Sequence, residues 1–256
     1  MSDSRHFNVE LTSKDGFTLP AYVALPKGRA RGAIVVLQEI FGVNSHIRSV
    51  ADAYAAEGFL AVAPATFHRI KEGVELGYTA DDMNAGVALK AAVEALNSPQ
   101  SDPVTPLVMQ DVQAAVNYAG VVAGMNTQDT MVGRQGTRVG VVGYCWGGLL
   151  TWRAASLLSG ISAAVPYYGG GMTMGSEVTR QPQCPVLCHF GDQDKHITLP
   201  SVEAFKAAQK AAQNAVDVQI YAADHGFNCD QRGSWNEPAA KLALERTLAF
   251  FGKHVG

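Results

Sequence analysis

The stretch Arg138-Val-Gly-Val-Val-Gly-Tyr-Cys-Trp-Gly-Gly148 decides the fold, because an apolar run ends at Gly143 and Cys145 then stands alone between glycines. This is the pattern of a nucleophile elbow, a sharp turn from strand to helix, with cysteine where serine is usual. Gly147 and Gly148 suit such a turn because a Cβ there would collide with the strand or the opening helix. The sulfur would project at a helix N-terminus, where the dipole favours thiolate. The alternative is a buried cysteine in a glycine-rich turn.

Around this turn the chain alternates short apolar runs with helical segments. Two alternating segments at 7–11 and 17–25, joined by a turn at 14–16, predict an antiparallel hairpin. Buried parallel strands are predicted at 33–37, 59–63, 138–143, 163–167, 186–190 and 218–221. Helices are predicted at 45–57, 80–96, 109–122, 149–158, 201–213 and 238–251. Such alternation implies an α/β fold, with helices on both faces of a mostly parallel sheet.

One connection, from Pro64 to about Leu107, is long for an α/β protein. It contains one predicted helix, and long insertions with their own structure are often lids or pocket walls. The sequence offers no linker, repeat or low-complexity tract. We therefore expect a single domain over residues 1–256, with a lid-like insertion at about 64–107.

Composition narrows the class of protein. The chain of 256 residues is 47% hydrophobic and 17% charged, as expected of a globular enzyme with a sizeable core. A net charge of −3 does not indicate the excess of positive charge that is typical of proteins that bind nucleic acid or an anionic membrane. The apparent lack of an apolar signal segment leads us to expect the cytoplasm. We also expect a monomer, with a dimer as the alternative.

The cysteines predict no metal site and no disulfide scaffold. Four cysteines are too few for such a scaffold, and no two of them form a C-x-x-C pair. Cys184 and Cys188, with His189, are interpreted as buried residues of a strand rather than as metal ligands. We expect neither a metal nor an organic cofactor.

Two loops downstream of Cys145 carry the partners that a thiol nucleophile needs. In α/β hydrolases the chain order is nucleophile, acid, histidine. A predicted strand runs into Gly191-Asp-Gln-Asp194, and the next runs into His225 followed by glycine. The carboxyl ends of parallel strands meet at one edge of the sheet, so these loops should lie together. Spacing alone does not decide whether Asp192 or Asp194 is the acid of the triad.

A further loop, Gln38-Glu-Ile-Phe-Gly42, follows the first predicted parallel strand. Folds of this kind place a second oxyanion donor there, so the main-chain N–H groups of Ile40 and Trp146 are expected to stabilise an oxyanion. Glu39 would then lie near the sulfur, where a buried carboxylate is costly unless it is hydrogen-bonded. It could hold the thiol proton at rest. The alternative is an ordinary loop glutamate.

Taken together, these segments resemble the dienelactone hydrolase family of α/β hydrolases. The matching stretches are Gln38-Glu-Ile-Phe-Gly-Val-Asn44, Gly143-Tyr-Cys-Trp-Gly-Gly148, Tyr167-Tyr-Gly169, Gly191-Asp-Gln-Asp194 and His225-Gly-Phe227. The resemblance implies a Cys145–His225–Asp194 triad, a contact between Glu39 and the thiol, and no cofactor. Enzymes of this family open enol lactones through a thiol ester, so the resemblance also implies a small ester or lactone substrate.

The sequence departs from the family at the substrate-binding arginines. Characterised members hold the substrate carboxylate with two arginines, one of them four residues after the catalytic histidine, and here that position is Cys229. Arg69 and Arg232 are the candidate substitutes, and Tyr144 is a further candidate for substrate contact. Loss of a bidentate clamp would weaken the binding of a dicarboxylate-like lactone.

Two other functions remain open at this point. A redox or thiol-transfer protein would use Cys145 reversibly, with Cys229 as the resolving thiol. A non-catalytic relative could instead sense a lactone-like molecule. Against the sensor, the three triad residues and Glu39 are all present, which a binding module does not need.

Overall fold

The computed structural model describes residues 5–96, 105–126 and 138–256. Within these ranges eight strands form one sheet in the order β1-β2-β4-β3-β5-β6-β7-β8. The strands are β1 (Arg5–Thr12), β2 (Thr18–Leu25), β3 (Ala33–Leu37), β4 (Leu60–Pro64), β5 (Val139–Tyr144), β6 (Ile161–Tyr167), β7 (Val186–Gly191) and β8 (Val216–Tyr221). The helices are α1 (Ser45–Ala56), α2 (Ala80–Glu94), α3 (Leu107–Asn126), α4 (Trp146–Leu157), α5 (Leu199–Ala211) and α6 (Glu237–His254).

The sheet is parallel except at its N-terminal edge. β1 pairs antiparallel with β2, and β2 pairs antiparallel with β4, whereas the pairs from β4 to β8 are parallel. Every residue of β3, β4 and β5 is buried, so both faces of the central sheet are covered. The predicted α/β class, with a mostly parallel sheet and an N-terminal hairpin, is confirmed.

The chain reverses its direction of winding at β3. This strand pairs with β4 on one side and with β5 on the other, so the loops that leave β3 and β5 diverge to opposite sides. Such a topological switch point opens a crevice beyond the carboxyl ends of the strands. The loop after β3 begins at Gln38, and the turn after β5 is Cys145, so both predicted site segments border this crevice.

The glycines around Cys145 allow the close approach that the sequence predicted. A Cβ on Gly143 would lie 2.1 Å from the carbonyl oxygen of Gly147. A Cβ on Gly147 would lie 2.3 Å from the carbonyl oxygen of Leu37, and one on Gly148 would lie 2.5 Å from that of Tyr167. The turn therefore packs backbone against backbone. Helix α4 begins directly at Trp146, three residues before the predicted start, because the turn occupies Cys145 alone.

The described part of the 64–107 connection packs onto the crevice. Gly42 forms an isolated bridge with Glu75, and a Cβ on Gly42 would lie 1.9 Å from the carbonyl oxygen of Val74. In α2, a Cβ on Gly86 would lie 2.3 Å from the carbonyl oxygen of Ile40. Residues 97–104 of this connection lie outside the described residues. In the parts that are described, no helix has the length and apolar character needed to cross a membrane.

Candidate active site

Cys145 occupies the turn between β5 and α4 in a strained backbone conformation. Its φ is 55° and its ψ is −115°, a region that few residues other than glycine adopt. The conformation is fixed on both sides, because its N–H donates to the Tyr167 carbonyl (3.1 Å) and its carbonyl accepts from the Gly148 N–H (3.0 Å). Strain of this kind persists only where the surroundings enforce it, and it concentrates at functional sites.

Asp194 holds His225 in place. The Nδ1 of His225 lies 2.7 Å from the Oδ2 of Asp194. The other carboxylate oxygen accepts from the main-chain N–H groups of His196 (2.7 Å) and Ile197 (2.9 Å), so both oxygens are engaged. Asp192, the alternative left open by spacing, is exposed and directs its N–H to the Tyr221 carbonyl. Asp194 is therefore the carboxylate that the fold brings to His225.

Charge coupling sets the pKa values of this pair. Burial alone would lower the pKa of His225, but the interaction with the Cys145 sulfur and the hydrogen bond to Asp194 outweigh it and raise the pKa to about 10. Burial would raise the pKa of Asp194, but the hydrogen bond from His225 outweighs it and the pKa is lowered. Both directions indicate that the surroundings stabilise the imidazolium that forms when His225 takes up a proton.

Tyr168 packs against His225 and was not predicted as a site residue. Its ring meets that of His225 edge-on at 5.1 Å, and its own φ is 35°. The side chain is buried, and its hydroxyl has no hydrogen-bond partner among the described residues. The Tyr167-Tyr-Gly169 motif was the sequence signal for this position, although it does not reveal the contact.

Glu39 and Arg232 form a buried ion pair beside the crevice. The Nη1 of Arg232 donates to the Oε1 of Glu39 at 3.1 Å, and the carboxylate is 1% exposed. The second oxygen, Oε2, has no partner in the described part of the chain. Arg232 also lies 5.6 Å above the ring of Phe41. The fold thus brings together two predicted site residues that are far apart in sequence.

The two main-chain groups expected to form an oxyanion hole border the same crevice. Trp146 is the first residue of α4, where a main-chain N–H has no partner within the helix. The Ile40 loop lies against the start of α4, since a Cβ on Gly147 would lie 2.3 and 2.5 Å from the carbonyl oxygens of Leu37 and Gln38. The Trp146 ring is fixed by stacking on Phe67, with ring centroids 4.9 Å apart.

Arg69 is not brought to this site. Its Nε and Nη2 donate to the two oxygens of Asp111 at 2.8 and 2.7 Å, and its Nη1 and Nη2 donate to Asp15. Its guanidinium stacks on Phe17 at 4.2 Å. Asp15 lies in the β1–β2 turn, three to four strands from β5, which is roughly 14–19 Å away at ~4.8 Å per strand. The expectation that Arg69 contacts substrate is therefore corrected, because its donors are committed to this cluster.

Tyr144 also turns away from the crevice. Although it precedes Cys145, its side chain is 2% exposed, and its hydroxyl meets that of Tyr54 at 3.4 Å. Its ring packs against Tyr167, with centroids 4.8 Å apart. The suggestion that Tyr144 contacts substrate is corrected for this reason, since successive residues at a strand end point to opposite faces.

The strand residues that were interpreted as structural are indeed buried. Cys184, Cys188 and His189 are at most 8% exposed. The ring of His189 bridges the hydroxyls of Tyr221 (2.8 Å) and Thr247 (3.0 Å), and burial lowers its pKa to about 3. Burial raises the pKa of Cys184 to about 12. A neutral imidazole and protonated thiols in a core are consistent with a packing role.

A cavity of about 400 Å³ opens next to His225. It carries two cationic side chains, Lys195 and Arg232, against one carboxylate, Asp224. Its lining residues are Tyr78, Met83, Lys195, His196, Asp224, His225, Gln231, Arg232, Gly233 and Ser234. Tyr78 and Met83 come from the long 64–107 connection, so that segment walls the cavity. No sequence signal marked Lys195 or His196 as lining residues.

The sheet order and the strand-to-helix turn at Cys145 define an α/β hydrolase. The model of the dienelactone hydrolase family matches residues 19–255. A Synechocystis protein named "putative carboxymethylenebutenolidase" is 32% identical over 227 residues, which are 85% of this chain and 84% of that protein. The carboxymethylenebutenolidase of Pseudomonas putida is 29% identical and is matched over 94% of each chain.

A solved structure supports the same assignment. The crystal structure named "putative dienelactone hydrolase" from Klebsiella pneumoniae superposes with a TM-score of 0.75 at 29% identity, covering 98% of this chain and 100% of that one. The chain therefore belongs to the dienelactone hydrolase family. The α/β-hydrolase fold and the hydrolase class expected from the sequence are confirmed.

Proposed function

We propose that the protein hydrolyses activated esters or enol lactones, with Cys145 as nucleophile, His225 as base and Asp194 as the residue that orients His225. The observation that carries this proposal is the side-chain hydrogen bond between His225 and Cys145, a strained cysteine at a helix N-terminus, together with the Nδ1 of His225 held 2.7 Å from a buried carboxylate. This is the arrangement that activates a thiol nucleophile. The carboxymethylenebutenolidase names of the relatives point to the same lactone chemistry.

In the acylation step His225 removes the thiol proton, and the thiolate attacks the substrate carbonyl. The oxyanion that forms is stabilised by the main-chain N–H groups of Ile40 and Trp146. Collapse of this intermediate breaks the ester C–O bond, and the leaving enolate or alkoxide takes the proton from His225. The acyl group remains on the sulfur as a thiol ester.

In the deacylation step a water molecule attacks the thiol ester, while His225 takes its proton. The second tetrahedral intermediate then expels the thiolate, which releases the acid. Throughout both steps Asp194 keeps the imidazole in one orientation and stabilises its cationic form. Thiolate is a good leaving group and leaves the first intermediate readily. The chemistry therefore suits esters whose own leaving group is also good, and amides are unsuitable.

Glu39 is proposed to act on the thiol before substrate arrives. Its Oε1 is held by Arg232, whereas its buried Oε2 has no partner among the described residues. A buried carboxylate oxygen without a donor is costly, so a thiol hydrogen in reach is a favourable partner. Glu39 would hold the Cys145 proton at rest and release the thiolate when substrate displaces this contact.

The positive charges that line the cavity favour a substrate that carries a carboxylate. Arg232 and Lys195 line it, and Arg232 keeps donor groups beyond the one directed at Glu39. Arg232 would then replace, at a different position, the clamp lost at Cys229. The 64–107 connection is proposed to form the opposite wall through Tyr78 and Met83.

Cys229 has the wrong properties for the resolving thiol of a redox protein. It is fully buried, and burial, followed by the charge of Glu39, raises its pKa to about 11, so it is a thiol rather than a thiolate at neutral pH. All four cysteines are free, which is in keeping with a reducing compartment such as the cytoplasm. Hydrolysis is therefore preferred to thiol transfer.

Steady-state kinetics test this proposal. Wild type and Cys145→Ala are compared on a small aryl ester and on dienelactone, with Cys184→Ala as the matched control for loss of a buried thiol. The proposal expects turnover by wild type and Cys184→Ala, and only the background rate for Cys145→Ala. Ligand binding without turnover in wild type would instead favour the sensor.

A further inference from the structure

A second group of reactive side chains lies next to the catalytic residues. Glu39, His46 and Cys229 each direct one potential metal-ligand atom into a common volume, and these atoms all lie within 4.8 Å of one another. Each side chain is buried, with exposures of 1%, 3% and 0%. A carboxylate oxygen, an imidazole nitrogen and a sulfur therefore meet in the protein interior.

Several of these buried atoms have no hydrogen bond in the part of the chain that the structure describes. The Oε2 of Glu39 and both ring nitrogens of His46 have no hydrogen bond within the described ranges. An unsatisfied buried polar group typically costs about 1–3 kcal/mol, and such groups are rare in folded proteins. The Nδ1 of His46 lies 3.4 Å from Asp230, so two atoms, Oε2 of Glu39 and Nε2 of His46, remain without a partner among the described residues, and a shared cation supplies a physical explanation for them.

Three separate segments create this cluster. Glu39 lies in the loop after β3, and His46 is the second residue of α1, which follows that loop. Cys229 lies in the loop after β8, where its N–H donates to the Gly226 carbonyl at 3.0 Å. Such a group has no spacing motif in the sequence, which explains why the cysteine pattern predicted no metal.

We propose that Glu39, His46 and Cys229 bind one divalent transition-metal ion of the zinc type. A mixed sulfur, nitrogen and oxygen donor set is typical of zinc, whereas magnesium and calcium prefer oxygen alone. Ligand atoms around tetrahedral zinc lie roughly 3.5 Å apart, so a small closure of the cluster is sufficient. On binding, Cys229 gives up its thiol proton to solvent and coordinates as thiolate.

Neighbouring residues suit the outer shell of such a site. The Oδ1 of Asp230 lies 3.4 Å from the Nδ1 of His46, which would leave Nε2 as the ligating nitrogen. Metal-bound histidines commonly donate their other N–H to a carboxylate in this way. Arg232 holds Oε1 of Glu39 and leaves Oε2 free to coordinate. Asp230 is itself 60% exposed, so the route from solvent to His46 is short.

Metal binding at this site would inhibit the enzyme. The bound metal ion would coordinate the Glu39 oxygen that is proposed above to hold the Cys145 proton. It would also place a positive charge beside Arg232. The inhibition therefore rests on the proposed role of Glu39, whereas the binding itself does not. Spectroscopic binding and inhibition must be measured separately, so that failure of one can be distinguished from failure of the other.

The binding experiment uses Co²⁺ as an optical probe and Zn²⁺ in competition with a chromophoric chelator. It is carried out in the Cys145→Ser background, which removes the alternative of metal bound by Cys145 and His225. The proposal expects one ion per chain and an intense thiolate-to-cobalt charge-transfer band. Adding Cys229→Ser should abolish the band, and His46→Gln should weaken zinc binding at least 10-fold. Cys184→Ser is the matched control and should leave both unchanged.

The results that overturn the proposal are equally specific. Absence of stoichiometric binding in the Cys145→Ser background would place the metal, if any, on the catalytic thiol. Retention of the cobalt band after Cys229→Ser in that background, with circular dichroism confirming the fold, would place the metal on another cysteine and would also overturn the proposal. For inhibition, zinc should reduce turnover at least 10-fold in wild type. Equal inhibition of Cys229→Ser, measured against its own metal-free rate, would refute the inhibitory role.

Discussion

Two buried arginine–carboxylate clusters lie at the carboxyl edge of this sheet, and they differ in one respect. In the cluster of Arg69 and Asp111, both carboxylate oxygens accept hydrogen bonds, and the arginine is shared with Asp15. In the pair of Arg232 and Glu39, one carboxylate oxygen has a donor and the other has none among the described residues. A saturated cluster stabilises the fold. An unsaturated one, in a cavity wall, retains capacity for a thiol, a substrate or a metal.

Asp194 is an exception to this comparison. Both of its carboxylate oxygens accept hydrogen bonds, yet it is proposed to act in catalysis. Its substitution by Asn should reduce kcat by on the order of 10⁴-fold, because the amide would favour the wrong tautomer of His225. Steady-state kinetics measure this effect. Asp192→Asn, the exposed neighbour, is the matched control and should change kcat less than threefold; an equal loss in both variants would remove Asp194 from the triad.

The same variant makes a prediction about pH. The hydrogen bond and charge of Asp194 help to raise the pKa of His225 to about 10, so Asp194→Asn should lower it. The imidazolium would then lose its proton at a lower pH than in wild type, which NMR titration of the His225 ring can follow. An unchanged midpoint would contradict the coupling between these two residues.

Breaking the saturated cluster should affect stability rather than catalysis. Arg69→Met leaves Asp111, which is fully buried, without its counter-charge, and should lower the free energy of unfolding by about 3–5 kcal/mol. Urea unfolding measures this loss. At a temperature where the variant remains folded, kcat/KM should stay within about twofold of wild type. A large fall in kcat/KM there would restore Arg69 as a substrate-binding residue.

Glu39→Gln tests the second member of the comparison, the pair of Arg232 and Glu39. Without an acceptor of the same basicity for the Cys145 proton, kcat should fall about 10²-fold, or ~2.7 kcal/mol of transition-state stabilisation. Because the amide oxygen of Gln can still accept the hydrogen bond from Arg232, which is 15% exposed, the free energy of unfolding should change by less than about 1 kcal/mol. Activity and urea unfolding are measured on the same preparation. A stability loss as large as that of Arg69→Met, with normal kcat, would make Glu39 structural.

The smallest expected effect is a change of substrate preference at Arg232. A hydrogen bond to a charged group contributes about 1.5–3 kcal/mol, so Arg232→Gln should raise KM at least about 10-fold for an ester that carries a carboxylate. The matched neutral ester should keep its KM. A parallel rise for both esters would mean that Arg232 acts only through Glu39.

The sheet and the glycine-lined turn at Cys145 could be predicted from the sequence because both depend on local pattern. The strand at 33–37 is observed with the predicted bounds, and Cys145 lies in the expected glycine-lined turn. The predicted start of α4 was three residues too late. Gly147 and Gly148 favoured a turn in the sequence, but they lie in the first turn of the helix, which begins at Trp146.

Long-range contacts set the limit of what the sequence could reveal. Arg69 was a candidate substitute for a missing substrate-binding arginine, and the sequence does not reveal that Asp15 and Asp111, 54 and 42 residues away, engage it. Asp192 and Asp194 could not be separated by spacing, since only the fold decides which reaches His225. The cluster of Glu39, His46 and Cys229 has the same origin, as its members come from three loops or helix starts.

The most direct test of the central claim is to identify the acyl-enzyme. Wild-type protein is mixed with excess aryl ester, quenched in acid, and analysed by intact mass and peptide mapping. We expect one acyl group, on Cys145, that hydroxylamine removes and that Cys145→Ala does not form. An acyl group on any other residue, or full turnover by Cys145→Ala, would contradict the cysteine mechanism.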